Sequence, residues 1–320
     1  MNGDYLYFNS VWDSGSGLGD LYRYSELGGV ETVTLPVSGM KATGQLRVFE
    51  GVLYVVVRPS SNQNLDLLSY DGLNPAVTLG VAPYGNGSSQ GNSLQGLFVV
   101  DDGLVFHGYD GTYRVFSYAP NEPSPAVYKH TDQPVLLREA TVFNGRLCGT
   151  RGPYPSDTPV CYDARPGPEA VQDLGPTGLN SATYGAVVGD DWYCFRPNVS
   201  GIGYRIHCTD GVSSAAQLQG SPDGFNLAGY EGSLYYLDGA VGRPYRYAFD
   251  GSSSSLITSV SSGQFGIPTG LPGLDTLAIS VRNGSASELR FYHPSDGSVD
   301  TVVIDSSNNT QATHLMVWLR

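Results

Sequence analysis

Lysine is almost absent from this chain of 320 residues, which has only Lys41 and Lys129 beside fifteen arginines. Positive charge as a whole is scarce, because 17 Lys and Arg face 30 Asp and Glu and leave a net charge of −13. Such a chain repels the phosphates of nucleic acids, which excludes a general nucleic-acid-binding protein. The arginine bias is relevant to ligands, because the planar guanidinium binds planar anions better than an ammonium group does.

Long apolar stretches and long helix-forming stretches are also missing. No apolar run is long enough to cross a membrane as a helix, so we expect no membrane insertion. Glycine (42), tyrosine (22) and proline (20) are frequent instead, as in chains built of short strands and tight turns. The first residues, 1–5, lack the charged and apolar regions of a secretory leader. The chain is therefore either cytosolic or a mature segment whose leader has been removed.

A strand-rich unit recurs about every 45 residues, which is the period of a β-propeller blade. Each copy has a turn ending in glycine, an aromatic-rich apolar run, a polar loop, a second apolar run ending near Asp-Gly, and a short Val/Leu segment. No linker interrupts the series, which predicts a single domain over residues 1–320. The copies begin near Gly3, Gly51, Gly103, Gly145, Asp191, Gly232 and Asp275.

The second unit shows the four strands of a predicted blade most plainly. They are Gln45–Glu50, Val52–Val57, Leu65–Tyr70 and Ala76–Leu79. The residues between the first two strands suit the positive φ angles of a tight hairpin. These turns are Glu50-Gly51, Asp102-Gly103, Asn144-Gly145 and Glu231-Gly232.

The two ends of the sequence complete each other. The first unit continues from Asn2-Gly3 directly into a second strand, Tyr5–Phe8, so its first strand is missing. The last segment, Thr313–Leu319, is an apolar strand with no second strand after it. Pairing these ends in one blade closes the ring and hides edges that would invite aggregation. The sequence predicts an all-β fold, a seven-bladed β-propeller with four-stranded antiparallel blades.

Four cysteines occupy matching positions in two neighbouring units. Cys148 and Cys194 each lie three residues after the start of a unit, and Cys161 and Cys208 each lie two residues before an aspartate. Other units are predicted to have Tyr54 with Ser69, or Tyr235 with Ala248, at these positions. These positions face each other across the second and third strands, near the separation that a disulfide needs. We predict two cross-strand disulfides, with four buried thiols as the alternative, and the missing C-x-x-C spacing argues against zinc. Disulfides form in oxidising compartments, so we expect a secreted or cell-surface protein.

Three segments carry a resemblance to a known family. Leu65–Gly72 (LDLLSYDG), Tyr204–Gly211 (YRIHCTDG) and Tyr245–Gly251 (YRYAFDG) each run from a strand into Asp-Gly. They resemble the repeats of bacterial extracellular propellers of the ELWxxDGT type. The resemblance implies a propeller found in secreted or surface proteins, and it carries over no catalytic residue.

The long, variable loops are predicted on one face, where second strands lead to third strands and fourth strands lead to the next blade. We call this the long-loop face and the opposite one the short-turn face. Basic residues recur where the second strand meets its loop: Arg58, His107, Arg151, Arg196 and Arg282. The aromatic residues of these loops, which can stack on sugars or anchor a protein, are Trp12, Tyr84, Tyr109 and Tyr154. The arginines suit an acidic sugar or an acidic protein, and the alternative is that each pairs with a nearby Asp or loop carbonyl.

No metal or catalytic motif stands beside these residues. Asp13–Asp20 has acidic ends around a glycine-rich middle, but it lacks the spacing of a calcium loop, so we expect a solvated loop. Gly87–Gly91 matches the G-x-S-x-G string without the strand–turn–helix context that this nucleophile motif needs. The five histidines are scattered, without metal-binding spacing.

These features predict a monomeric binding module, without cofactor or catalysis, that recognises a glycan or an extracellular protein through its long-loop face. One alternative is a polysaccharide lyase or hydrolase that uses Arg, His and Tyr around the central mouth. A purely structural surface protein is the other alternative.

Overall fold

A computed structural model gives the fold of the chain. Every regular element in the part it describes is a β-strand, and within that part no helix is long and apolar enough to span a membrane. The described residues are 5–11, 18–58, 66–79, 97–109, 113–122, 127–129, 138–151, 158–163, 171–174, 179–199, 203–213, 215–218, 224–238, 243–249, 255–257, 264–266, 268–271, 273–283, 286–305 and 311–319.

The strands form seven antiparallel sheets, which confirms the predicted seven-bladed propeller. Blade 1 consists of β1 (Tyr5–Val11), β3 (Leu21–Ser25), β4 (Gly29–Thr32) and β31 (Gln311–Leu319). Blade 2 consists of β2 (Leu18–Gly19), β5 (Lys41–Phe49), β6 (Val52–Arg58), β7 (Asp66–Tyr70) and β8 (Val77–Thr78). Blade 3 consists of β9 (Leu97–Val100), β10 (Gly103–Tyr109), β11 (Tyr113–Tyr118) and β12 (Val127–Lys129).

The remaining four blades follow the same plan. Blade 4 consists of β13 (Arg138–Phe143), β14 (Arg146–Arg151), β15 (Thr158–Tyr162) and β16 (Val171–Asp173). Blade 5 consists of β17 (Leu179–Val188), β18 (Trp192–Val199), β19 (Gly203–Tyr204), β20 (His207–Thr209) and β21 (Ala216–Gln217). Blade 6 consists of β22 (Gly224–Tyr230), β23 (Ser233–Asp238), β24 (Pro244–Ala248) and β25 (Ser255–Leu256). Blade 7 consists of β26 (Gln264–Phe265), β27 (Thr269–Gly270), β28 (Leu277–Asn283), β29 (Ala286–Tyr292) and β30 (Val299–Asp305).

The first strands of the blades surround the central axis. They touch one another in a closed cycle, in the order β31, β5, β9, β13, β17, β22, β27 and back to β31. The second, third and fourth strands of each blade follow outward in chain order, whereas the short strand β2 pairs with β5 on the side opposite to β6. Blades 2, 5 and 7 depart from the predicted four strands, because each holds one additional strand of two residues.

The C-terminal strand closes the ring as predicted. In blade 1, β31 pairs antiparallel with β1, with Tyr7 opposite Val317. The outer side of β1 pairs with β3, where Tyr7 lies opposite Arg23. The edge of β1 that faces the axis is therefore covered by a strand from the other end of the chain, as a closed propeller requires.

The short hairpin turns have the predicted backbone, with one shift. Glu50, Asn144 and Glu231 have φ angles of 49°, 51° and 45°, and each is followed by a glycine at positive φ. In blade 3 the predicted turn at Asp102-Gly103 is displaced by one residue, because Gly103 already pairs with Val100 and the positive φ falls on Asp101. Gly103 is needed there for space, since a Cβ at this position would lie 3.1 Å from the Tyr118 carbonyl oxygen.

The hydrophobic core is divided into seven clusters, one between each pair of adjacent blades. Alternation along the strands explains the division, because successive side chains point to opposite faces of a sheet. In β1, Tyr7 packs against blade 2, whereas Leu6 and Phe8 pack against blade 7. Each blade is thus buried on both faces, and the polar ends of its strands are left at the two faces of the ring.

Candidate functional site

One pair of facing residues, at the same place in every blade, differs in chemistry from blade to blade. It consists of the third residue of each second strand and its partner directly opposite on the third strand. The pairs, from blade 1 to blade 7, are Tyr7–Arg23, Tyr54–Ser69, Val105–Ser117, Cys148–Cys161, Cys194–Cys208, Tyr235–Arg246 and Ile279–Arg290. Blade 6 corrects one prediction, because Tyr235 faces Arg246, whereas Ala248 lies opposite Ser233.

Blades 4 and 5 have the predicted disulfides at this position. The Cα atoms are 4.0 Å apart in the pair Cys148–Cys161 and 4.1 Å apart in the pair Cys194–Cys208. Both bridges are buried: the first faces blade 5 and the second faces blade 6. They tie the second and third strands together near the short-turn face, because Cys148 and Cys194 are the third residues of strands that begin at that face.

The predicted ligand-binding residues are only partly within the described part of the chain. Trp12, Tyr84 and Tyr154 lie outside it, as do the Gly87–Gly91 string and positions 13–17 of the Asp13–Asp20 segment. His107, Tyr109 and Arg151 lie on the second strands β10 and β14 as predicted, but only their backbones are described. Arg58, Arg196 and Arg282 lie at or near the long-loop ends of the second strands β6, β18 and β28, as the sequence predicts.

A compact basic group lies at the long-loop end of blade 5. The guanidinium carbon of Arg196, on β18, is 3.8 Å from the centroid of the Tyr204 ring, which is a close cation–π contact. The next residue, Arg205, donates from Nη1 to the Tyr204 carbonyl oxygen at 2.7 Å, and its backbone N–H donates to the Pro197 carbonyl oxygen at 3.1 Å. All three side chains are half-buried. One guanidinium group therefore stacks on the Tyr204 ring, and a second is hydrogen-bonded to the backbone of the same residue.

Other charged residues lie at the same ends of the neighbouring strands. Arg243 is exposed just before β24 in blade 6, and its carbonyl oxygen accepts a bond from the Asp238 N–H at 2.8 Å. Arg282, in blade 7, is exposed as well. Asp66 and Asp238 also occupy this end of blades 2 and 6, so the arginines are not the only charges there.

Sequence reasoning missed Tyr204, Arg205 and Arg243. It considered only the point where the second strand enters its loop, whereas these residues lie where the loop returns to the third strand. The signal that could have found them is the antiparallel pairing itself, which brings the end of the second strand beside the start of the third.

Histidine 207 is a structural residue of the blade-5 core. The side chain is 6% exposed, its ring stacks on Phe195, and Nδ1 lies 3.3 Å from the Arg205 carbonyl oxygen. Burial lowers the pKa of His207, which keeps the ring neutral at neutral pH.

Titratable groups with shifted pKa values lie mainly toward the short-turn face. Burial raises the pKa of Tyr7 and of Tyr235 to about 12. Backbone N–H groups in the turns after the third strands lower the pKa of Asp71 and of Asp210. Among the described residues, no group of three His, Cys, Asp or Glu side chains could hold a metal ion.

The comparisons with known proteins agree with the propeller fold. No protein-family model matches the chain, and no curated protein matches it significantly. A prolyl endopeptidase structure is similar with a TM-score of 0.62 at 13% identity, over 94% of this chain and 50% of that one. A 6-phosphogluconolactonase-like protein from Bacteroides uniformis has a TM-score of 0.62 at 10% identity, over 98% of this chain and 100% of that one. TolB from Acinetobacter baumannii has a TM-score of 0.55 at 10% identity, over 98% and 82%.

The seven sheets of the structure define the class of the protein, a seven-bladed β-propeller, and the similarities show nothing finer than the propeller fold. Identities of 10 to 13% establish a shared fold but no shared site. The chain spans about half the length of the prolyl endopeptidase that it matches.

Proposed function

We propose that this chain is a secreted or cell-surface binding module that holds an acidic glycan or an acidic protein segment on its long-loop face, without catalysis. The observation that carries this proposal is the group formed by Arg196, Tyr204 and Arg205. Guanidinium groups bind carboxylates and sulfates in a bidentate manner, and an aromatic ring beside them offers a surface for a sugar ring or a side chain.

The position of the group supports a role in binding. It lies at the long-loop end of blade 5, with Arg196 on β18, Tyr204 on β19 and Arg205 directly after β19. The strand β18 and the hydrogen bond from the Arg205 N–H to the Pro197 carbonyl oxygen hold the two arginines in place before a ligand arrives, which reduces the entropy lost on binding. Exposed Arg243 and Arg282 lie at the same end of blades 6 and 7. We call the four arginines Arg196, Arg205, Arg243 and Arg282 the basic strip.

The charge of the whole chain makes this strip selective. A net charge of −13 repels polyanions from most of the surface. An acidic ligand is therefore expected to dock only where arginines outnumber acids, and its affinity should fall as salt is added.

A glycan array that includes uronic, sialic and sulfated sugars, with acidic peptides alongside, tests the proposal. We expect saturable binding of an acidic ligand, with at least about tenfold weaker binding in the double variant R196Q/R205Q, because two charge-assisted contacts are lost. R146Q is the matched control, since Arg146 lies beside the short turn of blade 4 and donates to the Gln172 Oε1 atom at 2.7 Å. Equal binding by wild type and R196Q/R205Q would refute the proposal, and cleavage products in the same samples would favour the enzyme alternative.

A further inference from the structure

A second candidate site lies on the central axis, near the short-turn face. The third residues of the second strands also have partners on the first strands, which surround the axis. In six blades these partners form one layer: Val317, Arg47, Phe98, Thr141, Ala186 and Ala228. Arg47 is the one charged residue among these six, and four of the other five are apolar.

Arg47 has an unusual environment within this layer. Its Nη1 atom donates to the Leu46 carbonyl oxygen at 2.7 Å, and its guanidinium carbon lies 5.5 Å from the centroid of the Phe98 ring in the next blade. The side chain is half-buried, and burial lowers its pKa to about 10, so it remains a cation at neutral pH. Its contacts within the described part of the chain include no carboxylate. Cations in protein interiors are usually paired with an anion.

The first strands as a group favour an anion. The described segments of these strands contain three Lys or Arg residues, Lys41, Arg47 and Arg138, one histidine, His314, and one acid, Glu139. Lys41 is already paired with Asp20 at 2.7 Å. Lys and Arg therefore outnumber acids on the first strands, in a chain whose overall charge is −13.

Arg47 lies near the short-turn face of the propeller. It is two residues before the end of β5, which places it roughly 7 Å from that face at about 3.3 Å per residue. The basic strip of the proposed glycan or protein site is at the opposite ends of the strands. A ligand of Arg47 is therefore distinct from a ligand of that strip.

We propose that Arg47 is the anion-binding group of a second site, in the central channel, for a small carboxylate attached to an apolar group. The carboxylate accepts from the guanidinium, and the apolar group packs against Phe98 and the small side chains of the layer. This site is independent of the long-loop face.

Benzoate, with acetate and sulfate as comparison anions, is the probe for this site. Binding to the intact chain is measured by isothermal titration calorimetry at constant ionic strength. We expect one saturable site that prefers benzoate to both other anions, and at least about tenfold weaker benzoate binding in R47Q. R47K retains the charge without the bidentate geometry and should fall between the two. R196Q/R205Q serves as the control and should bind benzoate as the wild type does.

Several outcomes would overturn the proposal. They are an absence of saturable benzoate binding to the wild type, equal affinity for benzoate and sulfate, unchanged benzoate affinity in R47Q, or loss of benzoate binding in R196Q/R205Q. If R47Q does not fold, F98L tests the same site, because it should reduce the preference for benzoate over acetate while leaving acetate binding in place. An unchanged preference in F98L would equally contradict the site.

Discussion

Removal of one disulfide should lower the stability of the propeller by a predictable amount. The bridges close loops with sequence separations of 13 and 14 residues. Loop-closure entropy for such a loop corresponds to about 3 kcal/mol at 25 °C for each bridge. An unfolding entropy of about 2.1 cal/mol/K per residue gives about 0.7 kcal/mol/K for 320 residues, so losing one bridge should lower the Tm by about 4 to 5 °C.

The chain offers its own design for the variant. Blade 3 has Val105 opposite Ser117 at the register position that the cysteines occupy in blade 4. The double variant C148V/C161S therefore copies a pair that the same fold already accommodates, and it separates the effect of the covalent link from the effect of a poorly chosen side chain.

Calorimetry of the wild type and C148V/C161S, each with and without a reductant, measures the difference. All four cysteines are at most 5% exposed, so thiol labelling should require denaturant together with reductant. Reduction should lower the Tm of the variant by about half as much as it lowers the Tm of the wild type, because the variant has only one bridge to lose. If labelling shows that the wild-type cysteines are fully reduced and the Tm has not changed, the entropic reasoning is wrong.

Three other perturbations test the fold. Deleting β31 exposes the edge of β1 and should produce a large loss of Tm with aggregation on size-exclusion chromatography, and an unchanged melting curve would contradict ring closure. G229A should cost about 3 kcal/mol in chemical denaturation, since its Cβ would lie 1.6 Å from the Val187 carbonyl oxygen, whereas G203A has free space and should lose only about 1 kcal/mol through its positive φ. Burial acts to lower the pKa of His293, but the hydrogen bonds to the Asp275 carbonyl and to Asp300 together outweigh it, so the pKa is raised. Its stabilisation should be complete below about pH 6.5 and decline as pH rises through the raised pKa, and an identical pH dependence in H293Q would contradict this.

The fold was predictable because the pattern repeats. The period, the Asn-Gly and Glu-Gly turns and the unpaired strands at the two ends together predicted the number of blades and the closure of blade 1. The paired cysteines were predictable for the same reason, since two copies of one spacing fixed their register. The errors are local. The turn in blade 3 was predicted one residue too late, because the sequence Asp-Asp-Gly allows two placements of the turn. Tyr235 was matched to Ala248 in blade 6, because counting residues back from Asp-Gly does not fix the register within a hairpin.

The candidate site was less predictable than the fold. Arg196 and Arg282 were found because their positions recur relative to the turns. Arg205 and Arg243 were missed because they belong to the returning side of the loop. Arg47 was missed for a different reason, since only residues of the long-loop face were candidates and the place of the first strands beside the axis depends on contacts between blades that are far apart in sequence.

Closure of blade 1 by β31 also constrains how the chain acquires its structure during synthesis. The partner of β1 on the axis side emerges about 300 residues later, which at roughly 5 to 20 residues per second is a delay of about 15 to 60 s. Throughout that interval the axis-side edge of β1 in the nascent chain is unpaired, and strands of neighbouring nascent chains can pair with it. We therefore expect that a chaperone covers β1 until the last strand is made, or that the chain is exported before it folds.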